Sequence, residues 1–289
     1  MRIKRSILTT GLIMLVAAAI VSCTTKTVTE ESTEIKLVSF NVRYNAWGDI
    51  DGENRWTNRR DAVVRMVEQE RPAAMGLQEA LLDQLQFLDS CLPQYRRIGV
   101  GRDDGKEQGE FMAIYYDTAQ LELLDGDTRW LSPTPDVPSR YEGAGCMRTV
   151  TIARFCDRNN GKEFAYLNTH LDHISDAARA YGAQVIASVI AERFDGVPVV
   201  VGGDMNCTAD YGHNMPFNTF YHAGLRDARS LTDSTSHAIT YNAFGQNEGA
   251  VIDHFLVRDM EVLTFRTLDG DYGVPYISDH YPIELRVKI

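Results

Sequence analysis

The segment 197–206, VPVVVGGDMN, restricts the fold more than any other part of the sequence. Four valines within five residues predict a buried strand, and the two glycines after them predict its end. Asp204 and Asn206 follow at once, and alternate residues of an extended chain point to the same side. The pattern therefore predicts a carboxylate and an amide side by side at the mouth of an apolar core.

Strand and helix patterns alternate through the rest of the chain. Strands are predicted at 35–44, 73–79, 109–117, 121–132, 146–157, 163–172, 250–258, 260–269 and 281–289. Helices are predicted at 57–71, from about 81 to 92, at 176–194 and at 216–222. We expect 35–44 at the edge of the core, one hairpin from 109–117 and 121–132, and another from 146–157 and 163–172. Hairpins with few helices between them favour antiparallel or mixed sheets covered by helices.

The N-terminus has the features of an export signal. Residues 1–22 combine basic residues at the start, an apolar run over 11–21 and small residues before Cys23. The ending IVSC resembles the lipobox of bacterial lipoproteins, which implies cleavage before Cys23 and a lipid on that cysteine. A plain secretory signal or a short membrane anchor are the alternatives, although the run is shorter than the roughly 20 residues of a spanning helix. Residues 23–34 then form a polar tether, and the expected location is the bacterial cell envelope.

Charge and cysteine content narrow the classes of partner. The formal net charge is −11, whereas proteins that bind long nucleic acids through phosphates usually have basic surfaces. A polyanion would have to be attracted locally, by a bound cation or a few arginines. The remaining cysteines show no zinc-type spacing, which favours free thiols but leaves a disulfide open. Because no linker composition interrupts residues 35–289, we expect one domain there, and a monomer.

Polar side chains follow most of the predicted strands. They are Asn41, Glu79, His170, Asp172, Asp204, Asn206, Asp253, His254, Asp279 and His280. Taken singly, each is more often a cap or a turn residue. Because strands of one domain tend to bring their ends to a shared edge, the whole set predicts a common cleft.

The residue types in this set restrict the chemistry of the cleft. Oxygen ligands without a Cys/His set suit Mg²⁺ or Mn²⁺ better than zinc. Glu79 is the strongest ligand candidate, because it leaves a buried strand with no basic neighbour. Histidines near carboxylates suit hydrogen bonding to a phosphate and proton transfer. Metal-assisted attack of water on a phosphoester is the reaction that these residues favour.

Seven motifs in order resemble the endonuclease/exonuclease/phosphatase superfamily: SFNVRYN, GLQE, GEFMAIYY, NTHLDH, GGDMN, IDHFLV and SDHYPI. They span nearly all of 35–289. The resemblance implies an α/β fold, a four-layered sandwich of two packed mixed β-sheets flanked by helices. Residues 130–148 and 169–184 look most similar to deadenylase-related exonucleases and their bacterial lipoprotein relatives, which implies a phosphodiesterase.

The resemblance also implies roles for the metal and water ligands. Glu79 would bind the divalent cation, Mg²⁺ or Mn²⁺, together with Asn41 and Asp279. Asp204 would orient or deprotonate the attacking water. Asn206 would hold the scissile phosphate.

Further roles follow for the groups around the phosphate. His170 would donate to a phosphate oxygen, with Glu110 orienting that histidine. Arg148 would bind the phosphate. His280 would be a second phosphate contact or the general base, paired with Asp253 or Asp279.

The identity of the phosphoester stays open at this point. A nucleic-acid end or a small phosphodiester is expected, and sphingomyelinase or inositol-phosphate phosphatase activity is the alternative. A non-catalytic binding protein with the same fold is a second alternative, but the site residues are all present, which argues against it.

Overall fold

The computed structural model describes residues 34–48, 50–209, 215–236 and 238–289. The described residues contain strands β1 (Glu34–Asn41), β2 (Ala74–Gln78), β3 (Tyr95–Ile98), β4 (Ile114–Asp117), β5 (Leu121–Trp130), β6 (Thr149–Asp157), β7 (Glu163–His170), β8 (Val199–Asp204), β9 (Arg226–Asp227), β10 (Asp253–Arg258), β11 (Glu261–Thr267) and β12 (Ile283–Lys288). Four α-helices accompany them: α1 (Trp56–Glu70), α2 (Leu82–Cys91), α3 (Asp176–Arg193) and α4 (Met215–His222).

The strands form two six-stranded mixed sheets. The first has the order β11-β12-β1-β2-β4-β3, and the second β5-β6-β7-β8-β10-β9. Each sheet contains one parallel pair, β1 with β2 and β7 with β8, and its other pairs are antiparallel. Because parallel neighbours end at the same edge of a sheet, the loops that follow the two strands of each pair begin side by side.

Three apolar layers hold these elements together. Leu37 and Val200 belong to the layer between the two sheets. Val38 packs with α1 and α2 on the outer face of the first sheet, and Val201 packs with α3 and α4 on the outer face of the second. Neighbouring strand residues thus alternate between layers. The predicted four-layered α/β sandwich is confirmed.

Gly76 and Gly203 allow close contacts near the site, Gly76 with side chains and Gly203 with a neighbouring backbone. Gly76 N donates to Tyr166 Oη at 3.1 Å across the sheets, and a Cβ there would lie 2.6 Å from that oxygen. Gly203 has a φ of +148°, and its Cβ would lie 1.9 Å from the carbonyl oxygen of Thr169. Gly202 and Gly203 both lie within β8, which runs on to Asp204. The prediction that these two glycines end the strand is therefore wrong.

The first predicted hairpin is also wrong. β4 pairs with β2 and β3 in the first sheet, whereas β5 pairs with β6 in the second. The turn at residues 118–120 therefore carries the chain from one sheet to the other. The hairpin of β6 and β7 is confirmed. Alternating patterns and turn residues look alike in both cases, because they do not specify which strand becomes the partner.

Other expectations meet different outcomes. β1 lies between β12 and β2 in its sheet and is mostly buried, so the expectation that it lies at the edge of the core is wrong. β3, with the sequence YRRI, was not predicted, because two arginines obscure its alternation and suit a sheet edge. Cys91, Cys146, Cys156 and Cys207 are free thiols.

The predicted signal peptide, Cys23 and nearly all of the tether lie outside the described residues. None of the described helices has the length and apolarity to cross a membrane.

Candidate active site

A cleft of about 520 Å³ lies where β1, β2, β7 and β8 end. Predicted residues that line it are Glu79, Glu110, Arg148, His170, Asp204, Asn206, Asp279 and His280. Asn41 and Asp253 are buried and contact these residues directly. The fold thus brings these ten residues to one place, from positions as distant in sequence as 41 and 280.

Asp204 is the carboxylate on which the other groups converge. Its Oδ2 accepts a hydrogen bond from Asn41 Nδ2 at 3.1 Å and lies 3.4 Å from His170 Nε2 and 3.7 Å from His280 Nε2. Its Oδ1 accepts from the backbone N–H of Asn206 at 2.9 Å. Burial, and after it the charge of Asp253, raises the pKa of Asp204 to about 7. Asp204 is therefore held in one orientation and is basic enough to accept a proton.

His280 forms a buried pair with Asp253. Nδ1 of His280 lies 2.8 Å from Asp253 Oδ2, so Asp253 rather than Asp279 is its partner. Burial opposes a charged imidazole, but the charge and hydrogen bond of Asp253, with the charge of Asp204, raise the pKa of His280 to about 10. His280 is therefore positively charged at neutral pH and presents Nε2 to Asp204.

Asn41 and Glu79 lie beside Asp204 at the ends of β1 and β2. Asn41 Nδ2 donates to Glu79 Oε1 at 3.0 Å, and the backbone N–H of Tyr44 donates to Glu79 Oε2 at 3.3 Å. Glu79 has a φ of 62°, a left-handed conformation that is uncommon outside glycine and frequent at functional sites. The strained backbone turns the carboxylate into the cleft.

The oxygen donors of this end fit a hard divalent cation. Glu79, Asp279 and Asp204 bring three carboxylates to one cleft. Burial raises the pKa of Asp279, and the charge of Glu79 contributes in the same direction. Arg43, at 3.9 Å from Asp279, neutralises this group only in part. Oxygen-rich sites of this kind suit Mg²⁺ or Mn²⁺.

His170, at the end of β7, is the other histidine that lies close to Asp204. Burial, and after it the charges of Arg148 and Arg102, lowers the pKa of His170 well below its usual value. The predicted contact from Glu110 to this histidine is not formed: Glu110 Oε2 accepts from Arg102 Nη1 at 2.6 Å, and His170 Nδ1 has no hydrogen-bond partner in the described part of the chain. Burial raises the pKa of Glu110 to about 7. An arginine that the sequence did not single out therefore competes for this carboxylate.

Arg148 is placed in the cleft by the loop after β7. Its Nη2 lies 2.9 Å from His173 Nδ1 and its Nε 3.7 Å from Asp172 Oδ2. Asp172 accepts backbone N–H bonds from Gly145, Ile174 and Ser175, so it fixes the loops rather than the substrate. These contacts hold Arg148 in the cleft wall.

One of the strand-end residues lies outside the cleft. His254 follows Asp253 on β10 and, by the alternation of the strand, points to the other face. There it lies 3.3 Å from Asp227 and packs against Phe217. It is a buried structural histidine.

Sequence reasoning missed several residues of the cleft wall: Arg43, Tyr44, Arg102, Cys146 and Tyr241. Arg43 and Tyr44 directly follow the predicted strand containing Asn41, so their place in the chain was an available signal. Arg102 and Tyr241 come from loops, and no periodicity marks their approach to the site.

The chain is similar to known proteins of one family. The sequence profile of the Endonuclease/Exonuclease/phosphatase family matches residues 38–280. An endonuclease/exonuclease/phosphatase from Bacteroides vulgatus is 32% identical, with a TM-score of 0.83 over 89% of this chain and 99% of that one. A mannosyl-6-phosphatase from Bacteroides thetaiotaomicron is 31% identical, with a TM-score of 0.82 over 88% and 100%.

A more distant relative has the same extent. An uncharacterized protein, L388, of Acanthamoeba polyphaga mimivirus is 23% identical over 269 residues, which are 86% of this chain and 98% of that protein. The profile match covers most of the chain, and two solved structures exceed 30% identity over nearly their full length. This chain therefore belongs to the endonuclease/exonuclease/phosphatase family.

Proposed function

We propose that the protein is a divalent-metal-dependent phosphoesterase that hydrolyses a small phosphate ester with an activated water molecule. The observation that supports this most directly is the surrounding of Asp204 by Asn41, His170 and His280, next to the carboxylate of Glu79. A proton acceptor, phosphate-binding groups and a cation site then lie within one cleft.

The residues divide the reaction between them. Asp204 accepts the proton of the attacking water, because it is fixed and has a raised pKa. His280, charged through Asp253, faces the negative charge that grows on the phosphoryl oxygens. The phosphate is held by His170, which is neutral, together with Asn206 and Arg148. Glu79, Asn41 and Asp279 would hold Mg²⁺ or Mn²⁺, and the chemistry that this ion would supply is Lewis-acid polarisation of the phosphate.

A sugar phosphate is the substrate class that the similarities favour. One relative at 31% identity is a mannosyl-6-phosphatase. A cleft of about 520 Å³ is within the range for a small ligand, and the net charge of −11 disfavours long nucleic acids. We therefore place a sugar phosphomonoester ahead of the phosphodiester expected from the deadenylase-like segments.

A substrate panel tests this proposal. Purified protein with Mg²⁺, Mn²⁺ or EDTA would be incubated with mannose 6-phosphate, glucose 6-phosphate, bis-p-nitrophenyl phosphate and an oligonucleotide, and phosphate or nucleotide release measured. We expect metal-dependent release from a sugar phosphate. Cleavage of the oligonucleotide or the diester alone would show that the substrate is a phosphodiester and not a sugar phosphate. Inactivity on every compound with either metal would contradict the proposed function.

The proposed place of action is the outer side of a bacterial membrane, reached through a lipid on Cys23. The basic, apolar and small-residue segments before that cysteine support it. Metabolic labelling with a radioactive fatty acid should mark the wild-type protein in its bacterial host and leave Cys23→Ser unlabelled. Equal labelling of both would exclude this attachment.

A further inference from the structure

Arg59 is an arginine buried in the outer layer of the first sheet. Its side chain on α1 is 1% exposed, and no described carboxylate forms an ion pair with it. Burial lowers its pKa to about 10. Enclosing a guanidinium without a carboxylate costs free energy, which other hydrogen bonds must offset.

Within the described part of the chain, the hydrogen bonds of Arg59 all go to backbone carbonyls. Nε donates to Asn54 O at 2.8 Å, and Nη2 donates to Arg43 O at 2.8 Å. Nη1 donates to Ile277 O at 3.0 Å and also to Val42 O. A planar fork of five N–H groups can serve several acceptors in fixed directions, which an ammonium group cannot do.

Arg59 joins two loops, one after β1 and one before β12, and each carries a residue of the proposed cation site. Val42 and Arg43 follow Asn41 on the exit of β1, and Arg43 is itself held at a φ of 55°. Ile277 precedes Ser278 and Asp279, and Ser278 Oγ donates to Asn41 O at 2.7 Å. Arg59 therefore bridges two loops that approach the site from opposite ends of the sequence.

We propose that Arg59 is a positioning residue that fixes Asn41 and Asp279 relative to each other and so sets the affinity of the site for a divalent cation; this rests on the proposed metal-dependent function. Without its guanidinium, the carbonyls of residues 42, 43 and 277 lose their shared donor. The bond from Ser278 Oγ to Asn41 O then holds the two loops without the guanidinium, and the spacing of the oxygen donors is less firmly fixed. Residues that orient metal ligands typically contribute about 10- to 100-fold in affinity.

The experiment measures Mn²⁺ binding to the metal-free protein by electron paramagnetic resonance of the free ion. We expect Arg59→Met to weaken binding by about 10- to 100-fold. Arg59→Lys, which keeps the charge and three donors, should recover part of the loss. Melting temperatures recorded for each variant separate binding from unfolding.

Arg65 provides the matched control on the same helix. Its Nε also donates to a backbone carbonyl, Tyr272 O, at 2.7 Å, but Tyr272 lies seven residues before Asp279, and Arg65 donates no described hydrogen bond to the exit of β1. Arg65→Met should lower stability and leave Mn²⁺ affinity unchanged. Equal Mn²⁺ affinity in folded Arg59→Met, or in Arg59→Lys if Arg59→Met does not fold, would overturn the positioning role alone. Absence of Mn²⁺ binding by the wild-type protein would overturn the proposed function with it.

Discussion

Asp204 and Asp253 show how neighbouring carboxylates acquire different roles. Asp204 faces the cleft, and burial with the charge of Asp253 raises its pKa to about 7. Asp253 lies behind His280 and forms a 2.8 Å contact with its Nδ1. One acid is therefore suited to exchange a proton with water, while the other holds an imidazolium in place.

Replacing Asp204 tests the first role. Asp204→Asn keeps the shape of the side chain but removes the proton acceptor, so we expect kcat to fall by about two to four orders of magnitude. Phosphate release from the best substrate measures it. Asp61→Asn, at a side chain 70% exposed, is the control and should keep wild-type turnover. An Asp204→Asn enzyme with unchanged kcat would remove this residue from the mechanism.

Replacing Asp253 tests the second role. Asp253→Asn removes the main charge that favours the imidazolium, so the pKa of His280 should fall from about 10 toward or below its ordinary value. Nitrogen NMR of labelled histidines in the metal-free protein follows this titration. Asp227→Asn, whose carboxylate contacts His254 instead, should leave the His280 resonance unchanged. An unshifted His280 in Asp253→Asn would contradict the pairing.

At the scale of the elements, the parallel pair β7 and β8 determines how His170 and Asp204 meet. The two residues are register partners at the ends of these strands. Gly203 lies one position before Asp204, where a Cβ would overlap the Thr169 carbonyl. The close approach of the two backbones therefore depends on the missing side chain.

Gly203→Ala should disrupt this pair. The clash is with backbone inside a sheet, which has little room to move, so we expect a loss of about 3 kcal/mol or more in the free energy of unfolding. Gly196→Ala is the control, because Gly196 has a φ of +67° and open space around it, so only the backbone strain of about 1 kcal/mol remains. Urea denaturation compares them, and equal losses would show that the contact with Thr169 is unimportant.

At the scale of the whole molecule, a buried charge cluster joins β11, β12 and β1, which are neighbours in the first sheet. Glu284 is fully buried and lies 2.7 Å from Arg266, 2.9 Å from Arg286 and 3.3 Å from Lys36. Burial opposes its ionisation, but the hydrogen bonds from the two arginines lower the pKa of Glu284 to about 2. The cluster therefore links stability to pH.

The sign of this link follows from the lowered pKa. Glu284 stabilises the fold above its ordinary pKa of 4.5, and this contribution is lost as the pH falls from there toward 2. Because its partners are partly exposed, we expect a loss on the order of 2 kcal/mol. Urea denaturation at pH 7 and pH 3 should show this extra loss in the wild type and not in Glu284→Gln. Glu34→Gln, at the exposed partner of Arg286, is the control and should behave like the wild type.

How far the site could be predicted depended on whether its residues lie in strands or in loops. Asn41, Glu79, His170 and Asp204 end or follow buried strands, and apolar periodicity marks those ends in the sequence. The partner of Glu110 and the presence of Arg102 were not predictable in this way, because both depend on a loop packed beneath Trp130, whose Nε1 donates to Arg102 O. The partner of β4 was missed for a similar reason, since a turn signal says that the chain reverses but not which sheet it joins.

The sequence by itself determined that antiparallel or mixed sheets are covered by helices and which residue types line the cleft, because buried strands need apolar alternation and the chemistry needs carboxylates, amides and imidazoles. Tertiary structure alone decided which of these groups touch: Asp253 with His280, Glu110 with Arg102, and His254 away from the cleft. These choices come from contacts between residues far apart in the chain. Their geometry is set by the packing of two sheets, on which a local pattern carries no information.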